Sequence, residues 1–125
     1  YTEVCCIMTL RVTTLREDRC NFTKMVSLLI GEAVRLGFDP ALDEGTVRLT
    51  PKNPTGNHMK GSLHYEGLAL DLLLYKDGVY ITNTETYTPL GEFWEQLGVT
   101  HNLPLRWGGR FKDGNHFSHE RNGKR

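Results

Sequence analysis

The hydrophobic positions change period twice along the chain. From Leu15 to Leu36, the residues Phe22, Met25, Val26, Leu29, Ala33 and Leu36 recur at three- and four-residue steps with charges between them. That spacing predicts an amphipathic helix, stopped by Gly37. From Leu68 to Leu74 the helical period vanishes: the even positions are all Leu, and the odd ones read Ala69, Asp71 and Leu73. Side chains alternate faces along a strand, so this run predicts a central strand that is apolar on both sides. Leu90, Phe93, Trp94 and Leu97 then return to helical spacing. They predict a second helix whose aromatic stripe packs into the core, with Thr88 as N-cap, Pro89 at the first helical position and Gly98 as the stop.

The segments between these elements read as turns and short strands. Phe38 to Leu49 is interrupted by Pro40 and Gly45 and reads as strand and turn, and Pro51 to Gly61 is loop by composition. Lys76-Asp77-Gly78 is a hairpin signal, because Asp-Gly accepts the positive φ angles of tight turns, and Val79-Tyr80-Ile81 is the return strand. Val99 to Pro104 is a connection that carries an exposed, uninvolved His101. In Trp107-Gly108-Gly109 the missing side chains permit a bulge or the close approach of another backbone or ligand. Lys112 to Asn115 is a turn leading into a last short strand from His116, and residues 1–8 and 121–125 are peripheral, the latter a frayed tail.

Asp71 is the residue that this pattern does not explain. Burying an unpaired carboxylate costs several kcal/mol, so in a central strand it needs a cation or strong donors. His64 lies seven positions upstream, and a second acid–histidine pair, Asp113 and His116, lies near the C-terminus. Two His and one Asp are the ligand types of a catalytic zinc with one position left open. On a continuous strand His64 and Asp71 would face opposite ways, so sharing one ion requires a turn or bulge between them, which Gly67 permits. The same parity separates His116 from His119 and makes His116 the ligand, while His58 reads as a solvated loop histidine. Asp113, three residues before His116, is placed to activate water at such an ion. Spacing alone leaves Asp113 open as a turn former, and the metal set open as scattered residues, since no Cys-x-x-Cys or His-Glu-x-x-His accompanies them.

Composition narrows the classes. With 125 residues the chain makes one domain, 1–125, and its 15 basic residues balance 15 acidic ones, which argues against a nucleic-acid binder. No apolar run reaches the ~20 residues of a membrane span, and no signal peptide is evident. Cys5, Cys6 and Cys20 are odd in number with two adjacent, as expected of reduced thiols in a cytosolic protein.

Taken together, Ser62-x-His64-x-x-Gly67-x-Ala69-x-Asp71 and Trp107-Gly108-Gly109-x-Phe111-x-Asp113-x-x-His116-Phe117 resemble the zinc D-alanyl-D-alanine carboxypeptidase family. They look most like its phage and prophage L-alanyl-D-glutamate endopeptidase (endolysin) branch. The resemblance runs from Leu15 to Glu120. It implies an α+β fold of the Hedgehog/DD-peptidase type, an antiparallel sheet with packed helices. It implies Zn2+ bound by His64, Asp71 and His116, Asp113 as catalytic acid/base, and Ser62 as a substrate-binding residue. Arg48-Leu49-Thr50-Pro51 corresponds to the family's substrate-binding Arg and Thr-Pro with one residue inserted, but the Gln-bearing helical segment that follows it in the family is missing. The implied function is cleavage of a peptidoglycan stem-peptide amide by a monomer that waits in the cytoplasm until it reaches the cell wall, with no nucleic-acid partner or stable membrane association. The rival readings are a D-Ala-D-Ala carboxypeptidase or dipeptidase, and a non-catalytic zinc-stabilised binding module.

Overall fold

A computed structural model describes residues 12–43, 63, 64 and 66–124. Arg48, Ser62, His58, Cys5 and Cys6 lie outside the described residues. Among those described, the elements are α1 (Leu15–Arg35), β1 (Asp39–Leu42), β2 (Ala69–Lys76), β3 (Val79–Tyr80), α2 (Thr88–His101), β4 (Leu105–Trp107) and β5 (His116–His119), with 3-10 turns at Thr84–Tyr87 and Gly108–Phe111. All pairings are antiparallel, in the order β1-β2-β5-β4, with β3 also on β2. No helix among the described residues is long and apolar enough to cross a membrane.

α1 begins with a capping box: the Thr14 hydroxyl accepts from Glu17 N–H at 3.1 Å, and the Glu17 carboxylate accepts from Thr14 N–H at 2.9 Å. Phe22, Met25, Leu29 and Ala33 form its buried stripe, and the helix ends at Arg35 before Gly37 at φ +92°. α2 departs from expectation at both ends. Thr88 is its first residue rather than its N-cap, because the 3-10 turn at Thr84–Tyr87, capped by Asn83, feeds directly into it. Gly98 does not stop it; the helix runs to the exposed His101, and Asn102 takes the left-handed conformation at φ 54°. Gly98 instead allows a close approach, since a β-carbon there would lie 2.8 Å from the Leu103 carbonyl oxygen.

Trp94 sits fully buried at the centre of the core. Its indole meets Phe22 of α1 and Phe117 of β5 edge-on, at centroid distances of 5.7 and 5.8 Å. Such pairs add about 0.5–1.5 kcal/mol each beyond burial. Its Nε1–H donates to the carbonyls of Arg106 and Ser118, so one side chain ties both helices to β4 and β5. Leu70, Leu72 and Leu74 of β2 are buried against this core. The odd face of β2 departs from the expected two-sided burial, because Asp71 and Leu73 are only half-buried.

The C-terminal residues also differ from the expected frayed tail. Arg121 and Lys124 bridge each other, and the Arg121 guanidinium bonds Asp18 Oδ2 at 2.7 Å and the Thr13 carbonyl at 3.3 Å. Asp18 is buried at the start of α1, so this pair fastens the chain end to the first helix.

Candidate metal centre

His64, Asp71 and His116 converge although the chain separates them widely. Asp71 and His116 are direct cross-strand partners in the β2–β5 ladder, which places both side chains on the same face. His64 lies before β2 on a tight turn in which Leu68 N–H donates to the Leu63 carbonyl at 2.9 Å and Gly67 N–H to the His64 carbonyl at 3.2 Å. Gly67 adopts φ +74°, the left-handed conformation that a side chain disfavours. This turn resolves the parity problem, because His64 is not on the strand at all.

The three donor atoms form a compact triangle. His64 Nε2 lies 3.2 Å from His116 Nδ1, His116 Nδ1 lies 3.3 Å from Asp71 Oδ1, and His64 Nε2 lies 3.6 Å from Asp71 Oδ1. A tetrahedral ion with bonds of about 2.0–2.2 Å sets its ligand atoms roughly 3.3–3.6 Å apart. The donor set therefore fits zinc in both chemistry and spacing, with one vertex left over. His64 is buried at the base, whereas the side chains of Asp71 and His116 keep 15% and 17% of their exposure, so the site opens on their side. Among the described residues this is the one cluster of three or more His, Cys, Asp or Glu with metal-ligand spacing.

His119 points elsewhere. It is buried on the opposite face of β5, its Nδ1–H donating to the Glu120 carbonyl at 2.8 Å and its Nε2 lying 3.9 Å from Asp18 Oδ1. Asp113 is exposed on the turn before β5 and is not one of the three clustered donors. Its carbonyl accepts from His116 N–H at 3.1 Å, and its own N–H donates to the Gly108 carbonyl at 3.0 Å.

Arg19 and Thr84, which nothing in the sequence singled out, act with Trp107 to hold these groups in place. Arg19 of α1 donates from Nε to the Glu66 carbonyl at 2.6 Å and packs over Gly67, bracing the turn that carries His64. Trp107 donates its indole N–H to the Gly114 carbonyl at 2.7 Å, and Thr84 accepts from Gly114 N–H at 3.3 Å, so the Asp113 turn is pinned from two sides. The two glycines after Trp107 make room for this. A β-carbon on Gly109 would lie 2.0 Å from the Trp107 ring, and one on Gly108 would lie 2.5 Å from the Asp113 carbonyl oxygen and 2.8 Å from His116 Cβ. The Trp-Gly-Gly run was the readable signal for this packing, and a 3-10 turn rather than a bulge is what it builds.

No sequence-family model and no curated protein sequence matches the chain. Among solved structures it is similar to the crystal structure of the Serratia marcescens L-Ala D-Glu endopeptidase ChiX, with a TM-score of 0.54 and 21% identity. The match covers 91% of this chain and 92% of that one. Over nearly its whole length, the chain shares the small α+β fold of an L-Ala D-Glu endopeptidase.

Proposed function

We propose that this chain is a zinc-dependent peptidoglycan peptidase of the Hedgehog/DD-peptidase fold class, cutting the L-alanyl-D-glutamate amide of the stem peptide. The observation that carries the reading is the His64–Asp71–His116 triangle, whose edges match tetrahedral zinc. The fold shared with an L-Ala D-Glu endopeptidase supports the choice of bond. His64, Asp71 and His116 would hold the ion through Nε2, Oδ1 and Nδ1. A zinc ion there supplies Lewis acidity, polarising the scissile carbonyl and lowering the pKa of water.

The chain's own groups do the rest. The buried turn of His64 and the cross-strand pairing of Asp71 with His116 fix three directions in advance, and the side on which Asp71 and His116 keep some exposure admits the substrate. Asp113 takes the proton from the attacking water and returns it to the leaving amine, a role worth about 100- to 10,000-fold in rate. Its turn is held against His116 by the backbone bond between them and by the Trp107–Gly114 bond. Ser62 and Arg48 complete substrate binding in this proposal. A site that only stabilised the fold would have no use for a base at Asp113.

The reading is tested by digesting purified peptidoglycan and identifying the fragments by mass spectrometry, with and without chelator. The expected products carry a new amino terminus on D-glutamate and vanish with chelator. Release of terminal D-alanine alone would replace the endopeptidase with a carboxypeptidase, and no release would leave a binding module.

A further inference from the structure

A cavity of about 490 Å³ lies between the start of α1, the connection from α2 to β4 and the chain after β5, across β5 from the metal centre. Its volume is that of a small-molecule site. Asp18 and His119 line it and are almost wholly buried, so they form its floor. The Nδ1 proton of His119 goes to the Glu120 carbonyl, which can only accept, so in the neutral ring Nε2 is a bare lone pair. Among the described residues that nitrogen has no hydrogen-bond partner. What faces it is a second acceptor, Asp18 Oδ1, at 3.9 Å, while Arg121 holds Asp18 Oδ2 at 2.7 Å. Two acceptors set against each other in a buried wall lack a donor between them, and a buried polar atom left unmet costs about 1–3 kcal/mol.

We infer that this cavity binds a primary alkylammonium, whose N–H groups bridge His119 Nε2 and Asp18 Oδ1. An ammonium nitrogen about 2.8–2.9 Å from both atoms closes the gap, with one N–H to each. A metal ion suits the pair less. Tetrahedral zinc sets its ligand atoms roughly 3.3–3.6 Å apart, and no third His, Cys, Asp or Glu among the described residues joins these two at ligand spacing. Charge disfavours an anion: two carboxylates, Asp18 and Glu120, line the cavity against the Arg121 guanidinium, which is already paired with Asp18. Leu103 and Pro104 line the same space and offer apolar contact to a methylene chain. The ligand class is therefore an amine on a short methylene chain, either a lysine side chain of a peptide or a free diamine. Because the site lies across β5 from the metal centre, the inference does not depend on the peptidase reading.

The test is calorimetric titration of the zinc-loaded full chain with three probes: Nα-acetyl-lysine amide, cadaverine, and the Nε-trimethylated form of the first, which keeps the charge but has no ammonium N–H. A primary amine should bind, the tighter of the two naming the source, and trimethylation should weaken binding roughly 10- to 100-fold, as for hydrogen bonds to a charged group. His119→Phe keeps a buried ring, removes the lone pair and should lose a similar factor. In the native protein the nitrogen resonance of His119 Nε2 should move with the same saturation. No saturable binding of either amine, as when a water alone serves the pair, overturns the inference. So does equal binding of the trimethylated probe, or undiminished affinity in His119→Phe. Loss of binding in folded Asp71→Ala would put the amine at the metal centre and overturn it as well. Should His119→Phe fail to fold, the native resonance decides, and an Nε2 shift that stays fixed at saturating amine overturns the inference.

Discussion

Gly108→Ala is a single methyl group added at the hinge between β4 and the Asp113 turn, and its effect can be worked from the packing. The new carbon would lie 2.5 Å from the Asp113 carbonyl oxygen, 2.8 Å from His116 Cβ and 3.3 Å from Asp113 Cβ. None of these atoms is the free end of a flexible side chain, so the backbone itself must give way. Overpacking of this kind costs typically 1–3 kcal/mol, and the upper end applies here. Alanine recovers about 0.4–1 kcal/mol by restricting the unfolded chain, leaving a net loss of about 2 kcal/mol. For a domain of this size that is a fall of about 8 °C in melting temperature. The displacement also separates Asp113 from His116, and a shift of about 1 Å at a catalytic group can cost about 100-fold in rate. Thermal unfolding, bound zinc and turnover are measured on one preparation, beside Gly31→Ala as a reference. Gly31 lies within α1 with nothing within 4 Å of its missing side chain, so alanine there should stabilise by about 0.5–1 kcal/mol. If Gly108→Ala instead melts as high as Gly31→Ala and turns over normally, the close packing of the Asp113 turn against His116 is wrong.

Three further outcomes follow from the same structure. Asp113→Asn should fold and keep its zinc yet lose roughly 100- to 10,000-fold in turnover; a fall of only a few-fold would make Asp113 a turn former. Arg121→Ala leaves the buried Asp18 carboxylate without its 2.7 Å partner and should cost about 2–3 kcal/mol in urea unfolding, whereas a loss below about 0.5 kcal/mol would show that the chain end is not fastened there. Burial raises the Tyr87 phenol above the ordinary tyrosine value, with the nearby Tyr80 and Tyr75 adding to the rise against the Leu74 N–H bond. The associated stability is therefore complete below pH ~10 and is lost as pH climbs through the raised pKa, and Tyr87→Phe should flatten that alkaline loss.

Local chemistry made much of the fold readable. The stripe from Phe22 to Ala33 gave α1, and Thr14 with Glu17 was a capping box in plain view that would have fixed its first turn. The leucine run gave β2, and the turn that a shared ion would require between His64 and Asp71 falls at Gly67, with φ +74°. Strand parity alone separated His116 from His119. What local rules could not supply was register: Asp71 faces His116 across 45 positions of chain only because β2 and β5 pair as they do. The end of α2 misled for a related reason. Glycine is the usual signal for a left-handed cap, but Gly98 is needed where Leu103 passes close, and Asn102 takes the left-handed turn instead. The Arg121–Asp18 pair joins opposite ends of the chain, and no window of sequence contains both.

The central claim is that His64, Asp71 and His116 hold one zinc ion on which stem-peptide cleavage depends. Its most direct test is to titrate zinc into metal-free protein while following cleavage of an L-alanyl-D-glutamate stem peptide. The account predicts that activity rises from near zero and breaks sharply at one equivalent, and that Asp71→Ala shows no such break. Full activity in the metal-free protein, or an unchanged break in Asp71→Ala, would contradict it.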